Sequence, residues 1–375
     1  MKLTLGFNSS LYAKRTNSHS NKQYKQAVMY GISKRLFSTS SRLLFTKPVN
    51  KAFVFDIDGV IVRGATPIPR ALETLQFLEK NEVPFCLLTN GGGYRELDRL
   101  KAVYDVIGFK PKNPNAFENK IVLSHTPFKE YVHQYKKVLV VGPSDSTKQV
   151  AQEYGFENVY NVKDIVQYNS SITPFSALPG LANFPEQYVK QLRTQDLDQT
   201  PFDAIFVFTD PKDWGADVQV INDLLNSDNG MLNTKRSSLQ MSDKPSVPIF
   251  WAQKDLYWSN AYSLKRYGLG MFREIIKQTY KIDNNGAILQ DKIFGKPMPI
   301  AYDYATKILP LKNKTKSNIY MVGDNPASDI IGAHEYGWNT CLVNTGVYSK
   351  GDPLLCKPTH IVKDLYEAVM KGLED

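Results

Sequence analysis

The amino-acid sequence predicts an α/β protein whose core is a parallel sheet, with a second α/β unit inserted into the chain. Short apolar runs alternate with helical stretches, which is typical of strands buried on both faces of a parallel sheet. The same alternation repeats in the middle of the chain. The length of 375 residues also favours two units over one, since a domain commonly holds about 150 residues.

The first elements begin at residue 52. Ala52–Phe55 is a short apolar run that ends at Asp56, and we expect a strand there. Ala71–Leu78 has apolar residues at helical spacing, which predicts a helix. Pro84–Leu88 is a second strand-like run and ends at Thr89. These segments predict a strand, a helix and a strand in succession.

The middle of the chain predicts a further series of strands and helices. Val138–Val141 is an apolar run before a helical stretch over Ser146–Tyr154. Ala204–Phe208 comes before a helix around Asp217–Leu225, and Pro248–Trp251 is another candidate strand. This part is long enough to form an α/β unit of its own.

Apolar runs like those of the first part return near the C-terminus, in Ile319–Val322 and Cys341–Val343. We therefore expect the first and last parts to build one sheet, with the middle as an insertion. The predicted divisions are a tail over residues 1–47, the core over 48–135, the inserted unit over 136–288 and the rest of the core over 289–375.

The excess basic charge of the chain lies in its N-terminal tail. Residues 1–50 hold nine Lys or Arg and no Asp or Glu, which leaves 37 basic and 37 acidic residues over 51–375. The absence of net charge over residues 51–375 argues against a nucleic-acid-binding protein. A basic, Ser-rich and acid-free tail is typical of a mitochondrial transit peptide, so we expect a mitochondrial protein, with the matrix favoured and cleavage near Phe37-Ser38. A basic extension without a targeting role is the alternative.

Membrane insertion and cysteine-based sites are both disfavoured. Charged or turn residues interrupt every apolar run before 18 positions, so no stable insertion into a membrane is expected. The three cysteines, Cys86, Cys341 and Cys356, are too few and too scattered for a disulfide framework or a zinc site. We expect them to be small buried thiols in a reducing compartment.

Acidic residues follow two of the apolar runs. Asp56 and Asp58 come after the first run, and Asp324 and Asp329 come after a late one. In a parallel sheet the carboxyl ends of the strands share one edge, so these carboxylates are expected to converge there. Carboxylates at such short range are stabilised by a hard cation, and oxygen ligands favour Mg²⁺.

A cationic group and several neutral donors are expected at the same edge. Lys296 stands between a glycine and a proline, and Thr89, Asn90 and Gly91 follow the second run. An ammonium, a hydroxyl and main-chain N–H groups beside Mg²⁺ suit a phosphoryl group. Each motif alone is weak, since Asp-x-Asp-Gly also occurs in turns and calcium loops. Their succession after separate apolar runs is what supports the prediction.

The motifs in this order resemble the haloacid dehalogenase (HAD) superfamily. They are Asp56-Ile-Asp58-Gly59-Val60, Leu88-Thr89-Asn90, Gly295-Lys296-Pro297 and Val322-Gly323-Asp324-Asn325 with Asp329. A finer resemblance, to subfamily IIA and its cat-eye-syndrome-critical-region-type mitochondrial hydrolases, rests on Thr89-Asn90-Gly91-Gly92-Gly93, Ser124-His125-Thr126-Pro127 and residues 323–330. The resemblance implies a Rossmann-like core and an inserted α/β cap of the C2 type.

The resemblance also implies catalytic roles. Asp56 would be the nucleophile that forms an aspartyl phosphate, and Asp58 would be the general acid and base. Lys296 would neutralise the charge of the nucleophile and of the phosphoryl group. The residues that bind the phosphoryl group would be Thr89, Asn90 and Gly91.

Mg²⁺ is the cofactor that the resemblance implies. Its ligands would be Asp56, Asp324 and the main-chain carbonyl of Asp58. Asp329 would support Lys296 or a metal-bound water. The four acidic positions all match the motifs of the family without a substitution.

The inserted unit is expected to recognise the leaving group. Asp255, Tyr257 and Trp258 follow a predicted strand, and the matching segment of capped relatives points into the active site. Asp255 would favour a polar or cationic group, and the two aromatic residues a flat or apolar one. The alternative is that both aromatic residues pack inside the cap. The wider subfamily usually has Asn-Pro-Asp where this chain has Gln253-Lys254-Asp255, so the substrates of better-known relatives do not transfer.

The sequence therefore predicts a mitochondrial Mg²⁺-dependent hydrolase, a phosphatase acting on a small phosphorylated metabolite. It could form a homo-oligomer. A phosphotransferase or a dehalogenase is a rival, although dehalogenases lack an Asp at the position of Asp58. A rival of another class is a weak or inactive binding or scaffold protein, with a link to glycerophospholipid metabolism.

Overall fold

The computed structural model describes residues 50–112, 119–176, 197–237, 242–258, 260, 262, 264–311 and 315–375. These residues belong to one compact unit that runs from Val49 to Asp375. The predicted tail over 1–47, with its cleavage point near Phe37-Ser38, lies outside the described residues. The account of the fold below concerns the described ranges.

Strands and helices alternate along these ranges. The strands are β1 (Ala52–Phe55), β2 (Val62–Arg63), β3 (Thr66–Pro67), β4 (Phe85–Thr89), β5 (Ile121–Leu123), β6 (Lys137–Val141), β7 (Asn158–Asn161), β8 (Ala204–Val207), β9 (Ile249–Trp251), β10 (Tyr257–Trp258), β11 (Arg266–Tyr267), β12 (Lys292–Ile293), β13 (Ile319–Gly323), β14 (Asn339–Val343) and β15 (His360–Val362). The α-helices are α1 (Ala71–Lys80), α2 (Glu96–Ile107), α3 (Asp145–Tyr154), α4 (Val162–Tyr168), α5 (Trp214–Leu225), α6 (Leu269–Asp283), α7 (Pro299–Ile308), α8 (Ile331–Tyr336) and α9 (Leu365–Glu374).

One parallel sheet, which we call the core sheet, has the strand order β15-β14-β13-β1-β4-β5. β1 lies near its middle, with β13 on one side and β4 on the other. Phe55 of β1 is opposite Val322 of β13 and Leu87 of β4. The residues that follow these three strands therefore emerge side by side at one edge of the sheet.

The core sheet is buried on both faces because successive side chains of a strand point to opposite sides. Phe53 and Phe55 pack with α1, α2 and α9 on one face, and Val54 packs with α7 and α8 on the other. All four residues of β1 are 0% exposed. This double burial explains why the strand has a continuous apolar run instead of an alternating pattern.

A second parallel sheet, in the order β12-β9-β8-β6-β7, forms the middle of the inserted unit, which we call the cap. α4, α5 and α6 cover one face, around the buried Trp251. The other face carries an aromatic cluster, in which the ring centroid of Phe128 lies 5.0 Å from those of Phe206 and Phe208 and 5.1 Å from that of Phe294. Two antiparallel hairpins, β2–β3 and β10–β11, are also present.

The predicted α/β class with parallel sheets is confirmed. The predicted domain boundaries stay a prediction, although the pairing of β12 with β9 extends the second sheet to Ile293. Sequence reasoning missed β5, β7 and β15, and in β7 and β15 polar residues such as Asn158, Asn161 and His360 break up the apolar pattern. The thiols of Cys86 and Cys341 are buried and free. Within the described ranges, no helix is both long and apolar enough to cross a bilayer.

Candidate active site

Three carboxylates meet at the edge of the core sheet where its central strands end. Asp56 directly follows β1, Asp324 directly follows β13, and Asp329 lies in the helical turn after it. Their carboxylate oxygens lie within 4.8 Å of one another, and all three residues are buried. The cluster contains Asp329, whereas the carboxylate of Asp58 lies outside it.

Lys296 places its ammonium among these carboxylates. Its Nζ lies 2.7 Å from Asp56 Oδ1 and 2.7 Å from Asp329 Oδ1, and it donates to the carbonyl oxygen of Leu88 at 2.7 Å. Burial alone would lower the pKa of Lys296, but the charges of Asp329 and Asp56 raise it above its usual value. The side chain is 1% exposed and stays charged.

One ammonium does not balance three carboxylates. Burial, together with the charges of Asp329 and Asp56, raises the pKa of Asp324 well above its usual value. Burial also raises the pKa of Asp329 to about 7, although the charge of Lys296 opposes the shift. A divalent cation would supply the missing positive charge, and hard cations take oxygen ligands. The residues present therefore fit a hard metal ion.

Two glycines let the backbone close around Asp324. Gly59 has φ +95°, a left-handed conformation that other residues rarely adopt, and a Cβ there would lie 2.4 Å from Asp324 Oδ2. A Cβ on Gly346 would lie 1.8 Å from the same oxygen. The N–H of Val347 donates to that oxygen at 2.5 Å. Sequence reasoning missed Gly346 and Val347, because nothing in their neighbourhood marks them as part of a site.

Asp58 lies apart from the cluster, in the turn after β1. Its Oδ2 accepts a hydrogen bond from Arg99 Nη2 at 3.0 Å. Burial raises the pKa of Asp58, although the Arg99 guanidinium opposes the shift. A carboxyl group with a raised pKa holds its proton closer to neutral pH, which suits a general acid. Sequence reasoning missed Arg99, because a single Arg in a helix of mixed charge forms no pattern.

The turn after β4 brings Thr89, Asn90 and Gly91 to the same edge. Thr89 Oγ1 accepts the N–H of Gly91 at 2.9 Å. The side-chain amide of Asn90 donates to Asp255 Oδ2 and to the carbonyl oxygen of Lys296, both at 2.9 Å. Asn90 thus links the core to the cap in this structure, and its binding of a phosphoryl group stays a prediction.

The glycines after Asn90 let the core turn approach the cap closely. A Cβ on Gly92 would lie 2.6 Å from the carbonyl oxygen of Phe208, which follows β8. Gly93 has φ +83°, and a Cβ there would lie 2.7 Å from the side chain of Thr209. The glycine run therefore makes room for the contact between the two α/β units, a role that its sequence did not reveal.

A cleft of about 350 Å³ separates the core edge from the cap. Asp56, Asp58 and Lys296 line it from the core. Asp255, Tyr257 and Trp258 line it from the cap. Tyr257 and Trp258 are 42% and 41% exposed, so they do not pack inside the cap. Burial raises the pKa of Asp255 to about 6, although its hydrogen bond from Asn90 opposes the shift.

A family model described as haloacid dehalogenase-like hydrolase matches residues 53–157, and a second, described as HAD-hydrolase-like, matches residues 293–368. Mitochondrial hydrolase YKR070W of Saccharomyces cerevisiae is 43% identical over 369 residues, which cover 92% of this chain and 99% of that protein. The chain belongs to the haloacid dehalogenase-like hydrolases. The resemblance that the motifs indicate is thereby confirmed.

This hydrolase is also similar to a fusion protein of Schizosaccharomyces pombe, named cardiolipin synthase (CMP-forming) / mitochondrial hydrolase. The two are 36% identical over 330 residues, which cover 86% of this chain and 53% of that protein. A possible sugar phosphatase of the HAD superfamily from Cytophaga hutchinsonii has a solved structure with a TM-score of 0.57 at 20% identity, covering 84% of this chain and 94% of that one. This likeness confirms the expected fold, a parallel HAD core with an inserted α/β cap.

The cap of this hydrolase also brings Asp210 to the cleft, a residue that sequence reasoning missed. Burial raises the pKa of Asp210 to about 6. A signal was present, because Asp210 comes just after the apolar run Ala204–Phe208, much as Asp56 comes after Ala52–Phe55. Tyr94 of the core, which is 58% exposed, is another lining residue that sequence reasoning did not identify.

Proposed function

We propose that this hydrolase is a Mg²⁺-dependent phosphatase, which transfers the phosphoryl group of a small phosphomonoester to Asp56 and then to water. The position of Asp56 carries the proposal. It follows the central strand and lines the cleft, with Lys296 Nζ 2.7 Å from its Oδ1 and Asp58 two residues further on. A carboxylate held in this way can attack phosphorus, while a neighbouring acid protonates the leaving oxygen.

The proposed reaction has two steps. Asp56 forms a bond to phosphorus as the bond to the leaving oxygen breaks, and that oxygen takes the proton of Asp58. The Asp58 carboxylate then accepts a proton from a water molecule, which attacks the aspartyl phosphate, releases phosphate and restores Asp56. Arg99 holds Asp58 in position, and Lys296 stabilises negative charge on Asp56 and on the phosphoryl group.

Mg²⁺ is the cofactor that we propose. The residues that would hold it are Asp56, Asp324 and the main-chain carbonyl of Asp58, all of which offer the oxygen ligands that Mg²⁺ prefers. The ion would neutralise negative charge on the phosphoryl oxygens. Asp329 would hold Lys296 in place through the ion pair between Oδ1 and Nζ at 2.7 Å.

Replacement of the nucleophile tests the proposal. Asp56→Asn keeps the shape of the side chain and removes its charge, so hydrolysis of p-nitrophenyl phosphate should fall on the order of 10⁴-fold or more, with the fold retained. Beryllium fluoride, which mimics an aspartyl phosphate, should bind the wild type and not the variant. Near-normal turnover by Asp56→Asn would exclude covalent catalysis by this residue. A wild type that hydrolyses no phosphomonoester, with or without Mg²⁺, would favour a binding or scaffold role.

We further propose that the protein acts in mitochondria, and in the matrix. The names of the two yeast relatives include the words mitochondrial hydrolase, and the tail over 1–47 has the composition of a transit peptide. The N-terminus of the protein purified from mitochondria should then be Ser38 or a residue within a few positions of it. Recovery of the intact chain from Met1 would contradict cleavage.

The substrate that we propose belongs to glycerophospholipid metabolism. The support is the fission-yeast relative, which carries a region similar to this chain and a cardiolipin synthase in one polypeptide. A panel of phosphorylated mitochondrial metabolites, tested with the purified protein and Mg²⁺, would check this. The highest kcat/KM should belong to a phosphomonoester intermediate of glycerophospholipid metabolism, and a ranking led by sugar or nucleotide phosphates would contradict it.

A further inference from the structure

The cap carries a dense group of exposed apolar side chains. Among the residues that the structure describes, fifteen large apolar side chains are exposed, and six of them lie within residues 256–267. Exposed groups of this kind commonly mark an interaction surface. We call the six the aromatic patch, and they are Leu256, Tyr257, Trp258, Tyr262, Leu264 and Tyr267, with exposures from 41% to 62%.

The aromatic patch extends outward from the rim of the catalytic cleft. Tyr257 and Trp258 line the cleft, whereas Tyr262, Leu264 and Tyr267 lie outside it and are more exposed, at 56%, 62% and 62%. The β10–β11 pairing sets Tyr257 opposite Tyr267, with ring centroids 5.9 Å apart, so the patch runs from the cleft rim to a ring outside the cleft. Any surface that received the patch would therefore lie next to the mouth of the cleft.

Two contacts hold this part of the cap against the core. Arg63 Nε, in β2, donates to the carbonyl oxygen of Asn260 at 3.2 Å. Lys265 Nζ lies 3.7 Å from Asp352 Oδ2. These contacts come from β2 and from a loop of the core, and both bring the segment that carries the aromatic patch against the core.

The charge around the patch is basic. Residues 256–267 contain Lys265 and Arg266 and no Asp or Glu, and the exposed Lys254 lies on the other side of Asp255; Lys265 also pairs with Asp352 of the core. The guanidinium of Arg266 lies 4.7 Å from the centre of the Tyr262 ring. Tyr, Trp and Leu mixed with Lys and Arg are typical of segments that lie in the boundary between lipid and water. The basic residues would be attracted by anionic headgroups.

We propose that the aromatic patch docks this protein on an anionic phospholipid surface. The rings and leucines enter the headgroup boundary, and Lys265 and Arg266 contact lipid phosphates. This docking is peripheral and needs no helix that crosses the bilayer. It presents the cleft to the lipid surface, where a phosphomonoester headgroup would meet Asp56. The docking is independent of the reaction proposed for the cleft, since vesicle binding can be measured without turnover.

Two other occupants fit the patch less well. In a two-fold contact between copies of this chain, Lys265 and Arg266 of one copy would face the same residues of the other, and like charges oppose such a contact. Single-stranded nucleic acid stacks on aromatic rings beside basic groups, but Leu256 and Leu264 offer no ring for stacking. Leucines combined with basic residues favour lipid.

Co-sedimentation of the full chain with vesicles tests the proposal. Wild type should bind phosphatidylcholine vesicles that contain about 30% phosphatidylglycerol more tightly than vesicles of phosphatidylcholine alone. Tyr262→Ser with Leu264→Ser should lower the partition coefficient about tenfold or more, because less apolar surface enters the boundary. Lys265→Glu with Arg266→Glu should lower it by a similar factor, about tenfold, in a salt-dependent way. The basic tail is identical in every variant, so the differences report on the patch.

Two control variants carry the same kinds of substitution at positions outside the patch. Ile282→Ser with Ile288→Ser removes two side chains that are 77% and 67% exposed, one in the last turn of α6 and one after it, and the 15 residues of α6 span about 22 Å. Lys80→Glu with Lys110→Glu reverses two exposed charges at the opposite edge of the core sheet. Both controls should bind vesicles as wild type does.

Three outcomes would overturn the proposal. The first is vesicle binding by the patch variants that equals the wild type. The second is a dimer in sedimentation velocity that the patch variants convert to a monomer, which would make the patch an interface between copies. The third is binding of a single-stranded oligonucleotide, but not of vesicles, that depends on the patch. Because Tyr262 and Leu264 neither line the cleft nor make the two contacts with the core, hydrolysis of a soluble phosphate should stay unchanged in Tyr262→Ser with Leu264→Ser and in both controls.

Discussion

The two walls of the cleft differ in how firmly their side chains are held. On the core wall, Lys296 is 1% exposed and its Nζ lies 2.7 Å from each of two carboxylates. On the cap wall, Tyr257 and Trp258 are about two-fifths exposed, and the ring of Tyr257 contacts that of Tyr267 with centroids 5.9 Å apart. Buried and preorganised charges suit a reaction step that all phosphomonoesters share. Exposed rings suit contacts that differ from one leaving group to another.

The largest effect on stability and turnover is expected for Lys296, at the centre of the core wall. Lys296→Met removes the ammonium from three buried carboxylates, so the free energy of unfolding should fall by about 3–5 kcal/mol and turnover should vanish. Urea unfolding with and without Mg²⁺ measures the first effect, and added Mg²⁺ should restore part of the loss. A variant as stable as the wild type without Mg²⁺ would contradict this account of the cluster.

A buried lysine of the cap offers a matched control for that change. Lys137 is 6% exposed, and its Nζ donates to the carbonyl oxygens of Leu197 and Thr200 at 3.0 and 2.6 Å. Lys137→Met should destabilise the protein through these lost hydrogen bonds while the kcat of the remaining folded protein stays near the wild-type value. Only Lys296→Met is expected to abolish turnover in the folded state.

The next effect concerns proton transfer at the core wall. Asp58→Asn keeps an acceptor for Arg99 but cannot give a proton, so kcat should fall about 10²–10⁴-fold for an alkyl phosphate. The loss should be smaller for p-nitrophenyl phosphate, whose leaving group departs readily as an anion. Parallel rate measurements on the two substrates check this. An equal loss on both would show that Asp58 does not act as the acid for the leaving group.

A smaller effect is expected at Asn90, whose side chain joins the core wall to Asp255 of the cap wall. Asn90→Ala removes the donor to Asp255 Oδ2 and to the carbonyl oxygen of Lys296, which should cost about 1–3 kcal/mol of stability and lower kcat/KM. A double-mutant cycle with Asp255→Ala should give a coupling energy of about 0.5–3 kcal/mol. Additive effects would mean that Asn90 acts within the core alone.

The smallest effect on stability is expected at the cap wall. Tyr257→Ala with Trp258→Ala removes two exposed side chains, so the unfolding free energy should change by less than about 1 kcal/mol, while the ranking of substrates by kcat/KM changes. Trp251→Ala is the control, because Trp251 is 0% exposed in the cap core and its truncation should cost about 3–5 kcal/mol. A large loss of stability with an unchanged ranking would refute a role of Tyr257 and Trp258 in specificity.

The core wall could be predicted from the sequence to a greater extent than the cap wall. Asp56, Thr89 and Asp324 each come at the end of a short apolar run, and parallel pairing of buried strands brings such ends to one edge. The local pattern of residues therefore predicted both the strands and the site residues at their ends. Arg99 and Val347 were not, because Arg99 reaches Asp58 across 41 residues and Val347 reaches Asp324 across 23. Contacts over such separations leave no local pattern.

The sequence by itself determined the α/β class, the central strands and the acidic residues at their ends, because burial on both faces and strand-end placement are local consequences of residue type. Only the tertiary structure decided which carboxylates form the buried cluster, that Asn90 bonds to Asp255, and that Tyr257 and Trp258 face the cleft. The cluster depends on the pairing of β1 with β13 and on the turn that follows β13, whereas the other two depend on the packing of the cap against the core. That packing is set by close backbone contacts, such as Gly92 against Phe208, whose partners are more than 100 residues apart in the chain.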